Sequence, residues 1–555
     1  MLERYLPRTD FSSYEDFLKN YKVNVPAQFN FGFDIVDEWA KRDKAKRALV
    51  WCDDHGGELT LTFEDVRVLS NKTANFFKSI GISKGSVVMV ILRRRWEYWI
   101  CATALHKIGA VIIPATIQLT QKDIEYRVTS ADISTIVCVD DAYTVSQVEA
   151  ARPGLPQIKN LILVNGEKEG WLTFGREIEK HDGEFARPTG DQTQKNEDVM
   201  LIYFTSGTTG MPKMVRHNFI HPLGHIMGAK YWHKVQEDKL HMTVSDSGWA
   251  KFGWGKIYGQ WICGAVIFTY DMDKFVPANL LSVIEKYRVT TFCAPVTMYR
   301  FMLQEDLSAF DLSSVERYCM AGEPLNPEVF KKWKELTGLP MIEGFGQSET
   351  TVLLANFEDW FPIKPGSMGK PCPIYDLRLL DDEGTECADG DEGEIVITGL
   401  DKGRPAGLFL GYLQAGQRQD TQQDSYGLGD MAWRDSDGYY WFIGRNDDVI
   451  KCSGYRIGPF EVESALMEHK AVVECAVTAA PDPTRGQIVK ATIVLAKGYE
   501  ASEALVKELQ DHVKRTTAPY KYPRIVEFVQ ELPKTVSGKI RRVAIRNESF
   551  HEGGD

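Results

Sequence analysis

Residues 199–204 (VMLIYF) form an unbroken apolar run that leads without a spacer into Thr205-Ser206-Gly207-Thr208-Thr209-Gly210-Met211-Pro212-Lys213. Such a run reads as a strand buried on both faces, which demands covering layers of other elements. The glycines that follow let backbone N–H groups approach phosphate oxygens. The hydroxyls add donors and the lysine adds charge. The spacing GxxxxGK[ST] is absent and Pro212 precedes the lysine, so an ordinary P-loop NTPase is disfavoured.

The surrounding pattern agrees with a layered α/β chain. Helical spacing covers 63–80, 99–108 and 120–130, with Thr120 and Asp123 placed like a capping box. Short β-branched runs at 86–92, 110–114 and 135–139 read as buried strands. Strand, helix and strand at this spacing predict a parallel sheet with crossover helices. The polar stretch 182–197 ends one subdomain, and a second α/β stretch runs over 198–365. Residues 366–444 are rich in Gly and Asp, with strand-like runs at 377–380 and 394–398. After Arg445 the pattern changes to compact α+β: helices at 459–468 and 502–516, strands at 472–479, 487–495 and 525–528. The expected fold class is therefore α/β. It has a large N-terminal domain of two α/β subdomains plus a small β-rich subdomain, then a small separate C-terminal α+β domain.

The chain's 65 basic and 77 acidic residues leave a net charge of −12, which argues against nucleic acid or anionic membrane as a general partner. No apolar run approaches the ~18 residues that span a bilayer. The 249–270 stretch comes nearest, but Lys251 and Lys256 interrupt it. Ten cysteines lie scattered without a CxxC pair, as in a reduced, cytoplasmic enzyme, where the sequons at Asn71 and Asn547 carry no meaning. Residues 1–18 contain Glu3, Asp10, Glu15 and Asp16 and look like neither a signal peptide nor a transit peptide. His217, His221 and His225 fall at i, i+4 and i+8, but there is no HExxH glutamate and Pro222 limits the helix. A surface or packing role is the better reading than a metal face.

Residues 203–215 resemble the phosphate-loop signature of the adenylate-forming superfamily, which includes acyl- and aryl-CoA synthetases, luciferases and peptide-synthetase adenylation domains. Further segments match in order over nearly the whole chain. Gly344-Phe345-Gly346-Gln347-Ser348-Glu349-Thr350 is similar to the family's aromatic-x-Gln-Thr/Ser-Glu motif, and Ala321-Gly322-Glu323-Pro324 to the segment lining the adenine pocket. Gly427-Leu428-Gly429-Asp430 resembles the ribose-binding motif. The run from Gly444-Arg445 to Glu461-Val462-Glu463 is the longest match, and 533–542 resembles the C-terminal lysine loop. Ser245-Asp246-Ser247-Gly248-Trp249 is similar to a segment of medium-chain acyl-CoA synthetases, the branch this chain most resembles.

The resemblance implies an AMP-forming acyl-CoA synthetase that joins a small carboxylic acid to coenzyme A at the expense of ATP, by way of an acyl-adenylate. Thr205, Glu349 and Lys539 would be catalytic, with Mg²⁺ on Glu349 and Lys539 bridging the substrate carboxylate and the α-phosphate. Ser206, Gly207, Thr208, Thr209, Gly210 and Lys213 would hold phosphate. Gly322, Glu323, Pro324, Glu343, Gly344, Phe345, Gly346, Gln347 and Ser348 would border the nucleotide, with Phe345 on the base. Asp430 and Arg445 would take the ribose, Gly454 would leave room for the pantetheine arm, and Arg456 would meet phosphate. Residues 1–444 would form the AMP- and acyl-binding domain, 445–447 the hinge at Asp447, and 448–555 a mobile lid. Trp249 would border the carboxylate end of the acyl pocket. Phe252, Trp254, Tyr258 and Trp261 make an aromatic stretch that, lining the site, would favour short, medium, branched or aromatic acids.

A stand-alone adenylation enzyme that loads a carrier protein shares the same early chemistry. A luciferase-like oxygenase and an inactive ligand sensor are weaker readings. A homo-oligomer is compatible with the resemblance. Met214, where many members have Gly, and Lys451-Cys452 ahead of Ser453-Gly454 depart from the commonest pattern. A local excess of eight Lys/Arg over three Asp/Glu in 510–545, including Lys514, Arg515 and Lys521, surrounds Lys539 and is expected to face the phosphates of CoA.

Overall fold

Local signals set the first helices. Thr62 caps Phe63–Ser79 by accepting from the Asp65 backbone while Asp65 reaches back, a complete capping box. Thr120 and Asp123 do the same for Gln121–Ala131. Phe63, Val66, Ser70, Ala74 and Phe77 form the buried stripe of the first helix. Asn71, one of the two sequon positions, is buried there and accepts from Lys107 Nζ at 2.6 Å, which removes it from any surface role.

The computed structural model describes residues 1–205, 211–414, 417–420, 424–452, 455–534 and 540–551. Two nine-stranded sheets make the body. One runs Gln417–Asp420, Gly411–Gln414, Lys213–Asn218, Val199–Thr205, Val111–Pro114, Val87–Ile91, Thr135–Cys138, Asn160–Leu163, Leu172–Thr173. Its strands from Val111–Pro114 to Leu172–Thr173 are parallel to their neighbours, as expected from strand–helix–strand units. The other sheet runs from Lys370–Pro371 through Val352–Ala355, Met341–Gly346, Arg317–Met320, Thr291–Ala294, Leu240–Thr243 and Val266–Asp271 to Arg47–Asp53 and Glu58–Thr62. A four-stranded antiparallel sheet, Asp376–Leu380, Glu392–Thr398, Tyr426–Arg434 and Tyr440–Arg445, is the β-rich part.

The two α/β halves are not consecutive in sequence. Arg47–Asp53 pairs in parallel with Val266–Asp271 in the second sheet, whereas Val199–Thr205 and Lys213–Asn218 complete the first. The polar stretch at 182–197 therefore joins two strands of one sheet rather than ending a subdomain. Its composition marks a loop, and a loop does not say where the next strand will pair.

Beyond Arg445 a five-stranded sheet forms around Gly486–Leu495, flanked by Val472–Asp482, Ile525–Val529, Ile450–Cys452 and Tyr455–Ile457. Its core, which includes Ile450, Ile457, Leu466, Val477, Ile493 and Leu509, draws every fully buried member from residues 450–513. Ser502 caps Glu503–Thr516, and Leu505, Leu509 and Val513 fall one turn apart on the buried face. Cys452 packs into this core and Met214 into that of the first sheet, so these two departures from the family pattern are packing choices, while Lys451 is exposed. Leu509→Ala should lower the unfolding free energy of this core by about 2–5 kcal/mol. Urea melts followed by circular dichroism would show it, and a change below about 0.5 kcal/mol would contradict the packing assigned to this helix.

Candidate active site

The strand expected ahead of the phosphate loop is Val199–Thr205, and it returns as Lys213–Asn218 in an antiparallel pair with Thr205 opposite Lys213. The loop thus joins two strands and does not open a helix, which separates it physically from a P-loop. Ser206, Gly207, Thr208, Thr209 and Gly210 lie outside the described residues, as do Gly454 and Lys539. At the loop's exit the Pro212 carbonyl accepts from the Tyr126 hydroxyl at 2.9 Å, and Lys213 Nζ lies 5.0 Å from the centre of the Tyr412 ring.

Tyr412 arrives on Gly411–Gln414, which pairs with the returning strand through Tyr412–Val215 and Leu413–Met214. Its hydroxyl donates to Glu349 Oε1 at 2.7 Å and lies 3.1 Å from the Tyr426 hydroxyl. The backbone carbonyl of Glu349 accepts from Phe409 N at 2.8 Å. Glu349 is 9% exposed, so its carboxylate faces little bulk water.

The turn before Glu349 is held from two sides. Ser348 O accepts from His217 Nε2 at 2.7 Å, which fixes His217 in the Nε2–H tautomer. Burial pushes His217 down to about 4 and His225 to about 3, so the neutral ring is the working form. His217 and His221 pack as tilted rings with centres 3.8 Å apart, His221 and His225 meet edge to face at 4.5 Å, and Nε2 of His221 and His225 are 2.9 Å apart. The packing reading of these histidines holds, and the surface alternative does not: all three are buried. On the other side Gln347 Nε2 donates to Asp430 Oδ2 at 2.5 Å and to Leu428 O at 2.8 Å, while Arg445 meets Asp430 Oδ1 at 3.4 Å. Gln347 thus braces the aspartate expected to take the ribose.

Around the expected base site, Phe345 lies 6.2 Å from Phe442, ring centre to ring centre. Gly322 has φ +94°, a conformation that a side chain would strain. Glu323 accepts from both the backbone and the hydroxyl of Thr297, each at 2.9 Å, and Lys251 donates to Ala321 O at 2.9 Å. These bonds fix the Ala321–Pro324 backbone. Glu343 is buried, its Oε2 has no hydrogen-bond partner among the described residues, and burial pushes its carboxyl up to about 8.

Trp249 is part-buried and precedes the short helix Ala250–Gly255. All four aromatics that follow are buried in one core. Phe252 packs on Tyr98 and Trp99, Tyr258 stacks on His225, and Trp261 donates to Ala48 O. Trp254 also borders the Gly346 backbone. A side-chain carbon on Gly346 would stand 2.7 Å from its ring, so the indole fills the space that glycine leaves.

Farther off, Arg456, expected to meet phosphate, pairs with Asp382. Arg546 donates to Asp447 O at 2.5 Å, and Arg445 Nε lies 3.9 Å from Asp447 Oδ1. The base of the lysine loop is pinned by the Lys534–Ile540 bridge and by Arg542, which donates twice to Glu463 at 2.8 and 2.7 Å.

Glu343 yields a pH test. Its carboxyl ionises near 8 when folded and near the ordinary 4.5 when unfolded. Its stabilising effect is complete below 4.5 and is lost as pH rises through 8. Glu343→Gln should match the parent at about pH 4.5 and exceed its stability by on the order of a few kcal/mol at about pH 9. Parallel pH dependence of the two proteins in denaturant melts would refute this.

Comparison with known proteins adds to this geometry. The family model described as AMP-binding enzyme matches residues 36–413, and the model for the AMP-binding enzyme C-terminal domain matches 461–539. The mitochondrial acyl-coenzyme A synthetase ACSM3 of Mus musculus is 42% identical over 553 residues, covering 98% of this chain and 94% of the relative. Among solved structures, the anthranilate CoA ligase AuaEII in complex with anthranoyl-AMP superposes with a TM-score of 0.86 at 29% identity, covering 96% of this chain and 99% of that one. An acyl-CoA synthetase of Brucella canis gives 0.73 at 29% identity, covering 98% and 99%.

Proposed function

This chain belongs to the AMP-binding enzyme family, and on that premise we propose how its residues divide the work of making an acyl-CoA. It is an AMP-forming acid–thiol ligase, an acyl-CoA synthetase that works through an acyl-adenylate. The observation that carries the assignment of roles is a convergence. Lys213, Glu349 and the Asp430–Arg445 pair are far apart in sequence, yet Tyr412 and Gln347 link them into one bonded array.

In the first half-reaction an oxygen of the acid's carboxylate attacks the α-phosphorus of ATP. The new O–P bond forms as the bond to pyrophosphate breaks. Thr205, Lys213 and the loop between them hold the phosphates by N–H groups, hydroxyls and charge. Phe345 and the Ala321–Pro324 backbone hold the base, and Asp430 accepts from the ribose hydroxyls. Glu349 is the proposed ligand for magnesium: it is a hard oxygen donor beside the loop exit, and among the described residues only its Oε1 is hydrogen-bonded. Magnesium bound there would offset phosphate charge as the second anion approaches. Lys539 would neutralise both reacting anions at the same moment.

In the second half-reaction the CoA thiol attacks the acyl carbon, the thioester forms and AMP leaves. Lys539 and the thiol need the same face of the adenylate. A rotation of the C-terminal part about Asp447 resolves that conflict and would release Arg456 from Asp382 toward phosphate. The basic patch at Lys514, Arg515 and Lys521 is proposed to face the phosphates of CoA; Lys514 and Lys521 now pair with Asp511 and Glu461. The indole of Trp254 against Gly346 supports a short pocket, hence short, medium, branched or aromatic acids. A cytoplasmic location is also proposed, resting on ten free cysteines, and cell fractionation tests it.

Two experiments test this reading. Lys539→Ala should abolish pyrophosphate release yet largely spare thioester formation from supplied acyl-adenylate, and equal loss in both assays would refute the division. CoA thioester formation should be faster with butyrate, isobutyrate, 2-methylbutyrate, octanoate or benzoate than with palmitate, and a preference for palmitate overturns the short pocket.

A further inference from the structure

Tyr412 has no role in the scheme above, yet three groups of the array meet at its ring. Its hydroxyl donates to Glu349 Oε1 at 2.7 Å. Its single proton is used in that bond, so the Tyr426 hydroxyl, 3.1 Å away, must be the donor to Tyr412. The Lys213 ammonium sits 5.0 Å from the ring centre. The backbone around Tyr412 is fixed as well, by pairing with Val215 and by the Phe409 N–Glu349 O bond. The hydroxyl is therefore held in place before any nucleotide arrives.

A carboxylate attached through a rotatable bond has other choices here. Without the tyrosine proton neither of its oxygens has a hydrogen bond among the described residues, and the group is free to rotate away from the orientation that a metal would need. We propose that Tyr412 is a positioning residue for Glu349: it engages one carboxylate oxygen, sets the orientation of the group, and leaves the second oxygen for the magnesium of the nucleotide complex. Tyr426 supports it one bond further out. The inference rests on the reading of Glu349 as the magnesium ligand. Hydrogen-bond partners behind a ligating carboxylate commonly change metal affinity by roughly ten- to a hundredfold when removed.

The test uses the full-length protein with Mn²⁺ and α,β-methylene-ATP, reading bound manganese by electron paramagnetic resonance. Pyrophosphate release is measured across a magnesium titration in parallel. Tyr412→Phe keeps the ring under Lys213 and removes only the hydroxyl. It should weaken manganese binding and raise half-saturating magnesium by roughly tenfold each, with a smaller fall in kcat at saturating metal. Tyr426→Phe should move both constants in the same direction by less, and it carries the test if Tyr412→Phe fails to fold. Glu349→Gln separates the layers of the argument. If it weakens manganese binding while neither tyrosine variant does, the positioning role is overturned and the magnesium reading stands. If it leaves manganese binding unchanged, the magnesium reading fails and the inference falls with it.

Discussion

The antiparallel pairing of Val199–Thr205 with Lys213–Asn218 is the constraint on which the site depends. Side chains alternate across a strand, so this ladder sorts its residues between two faces. Ile202, Phe204 and Met214 join one core, whereas Tyr203 and Val215 join the other. On the Val215 side the same alternation carries Lys213 to the loop exit and His217 to the Ser348 carbonyl. A slip of one residue would exchange the two faces and put Met214 where the lysine belongs. Burial of apolar side chains thus fixes the register, and the register places the charged groups.

Much of this was legible in the chain itself, because apolar runs and caps are local signals. The runs at 86–92, 110–114 and 135–139 became Val87–Ile91, Val111–Pro114 and Thr135–Cys138, and the Thr120–Asp123 box caps its helix. Long-range pairing has no such signal. Nothing near Tyr412 says that its strand will lie beside Val215, so neither the interleaving of the sheets nor the bond to Glu349 could be read from residue order. The histidines were hard to read for another reason. A histidine is polar by composition, but once buried it becomes a neutral ring that stacks and bonds with its own kind. His221 and His225 share a hydrogen bond in that way, while His217 packs against His221 and donates to the Ser348 carbonyl. The aromatic stretch after Trp249 was hard to read similarly, since periodicity does not say whether Phe252, Trp254, Tyr258 and Trp261 line a pocket or, as they do, share one core.

The C-terminal part shows a charged group used as an anchor. Glu463 is buried and accepts from Arg542 and from the backbone N–H of Val477. Burial alone would drive its carboxyl to the neutral form; the Arg542 guanidinium opposes that. An ion pair in this setting adds little net stability over an apolar pair, but losing one partner is costly. Its effect is geometric: Arg542 opens the helix Arg542–His551 directly after the lysine loop, so the pair ties the end of that loop to the helix Pro459–Met467 and, through Val477 N, to the domain's own sheet.

The interleaved sheets also bear on how the protein is made. On the ribosome the residues of the first sheet appear early, at 87–163, but its edge is closed by Gly411–Gln414 and Gln417–Asp420. Until Gly411–Gln414 has emerged, the strand that begins at Lys213 has an unpaired edge, and Glu349 waits without the tyrosine that holds it. Contacts of such long sequence separation form slowly and leave open strand edges exposed in the meantime. The phosphate site is thus among the last parts of the body to be completed, and the nascent chain must be kept from pairing with others before its own strand arrives.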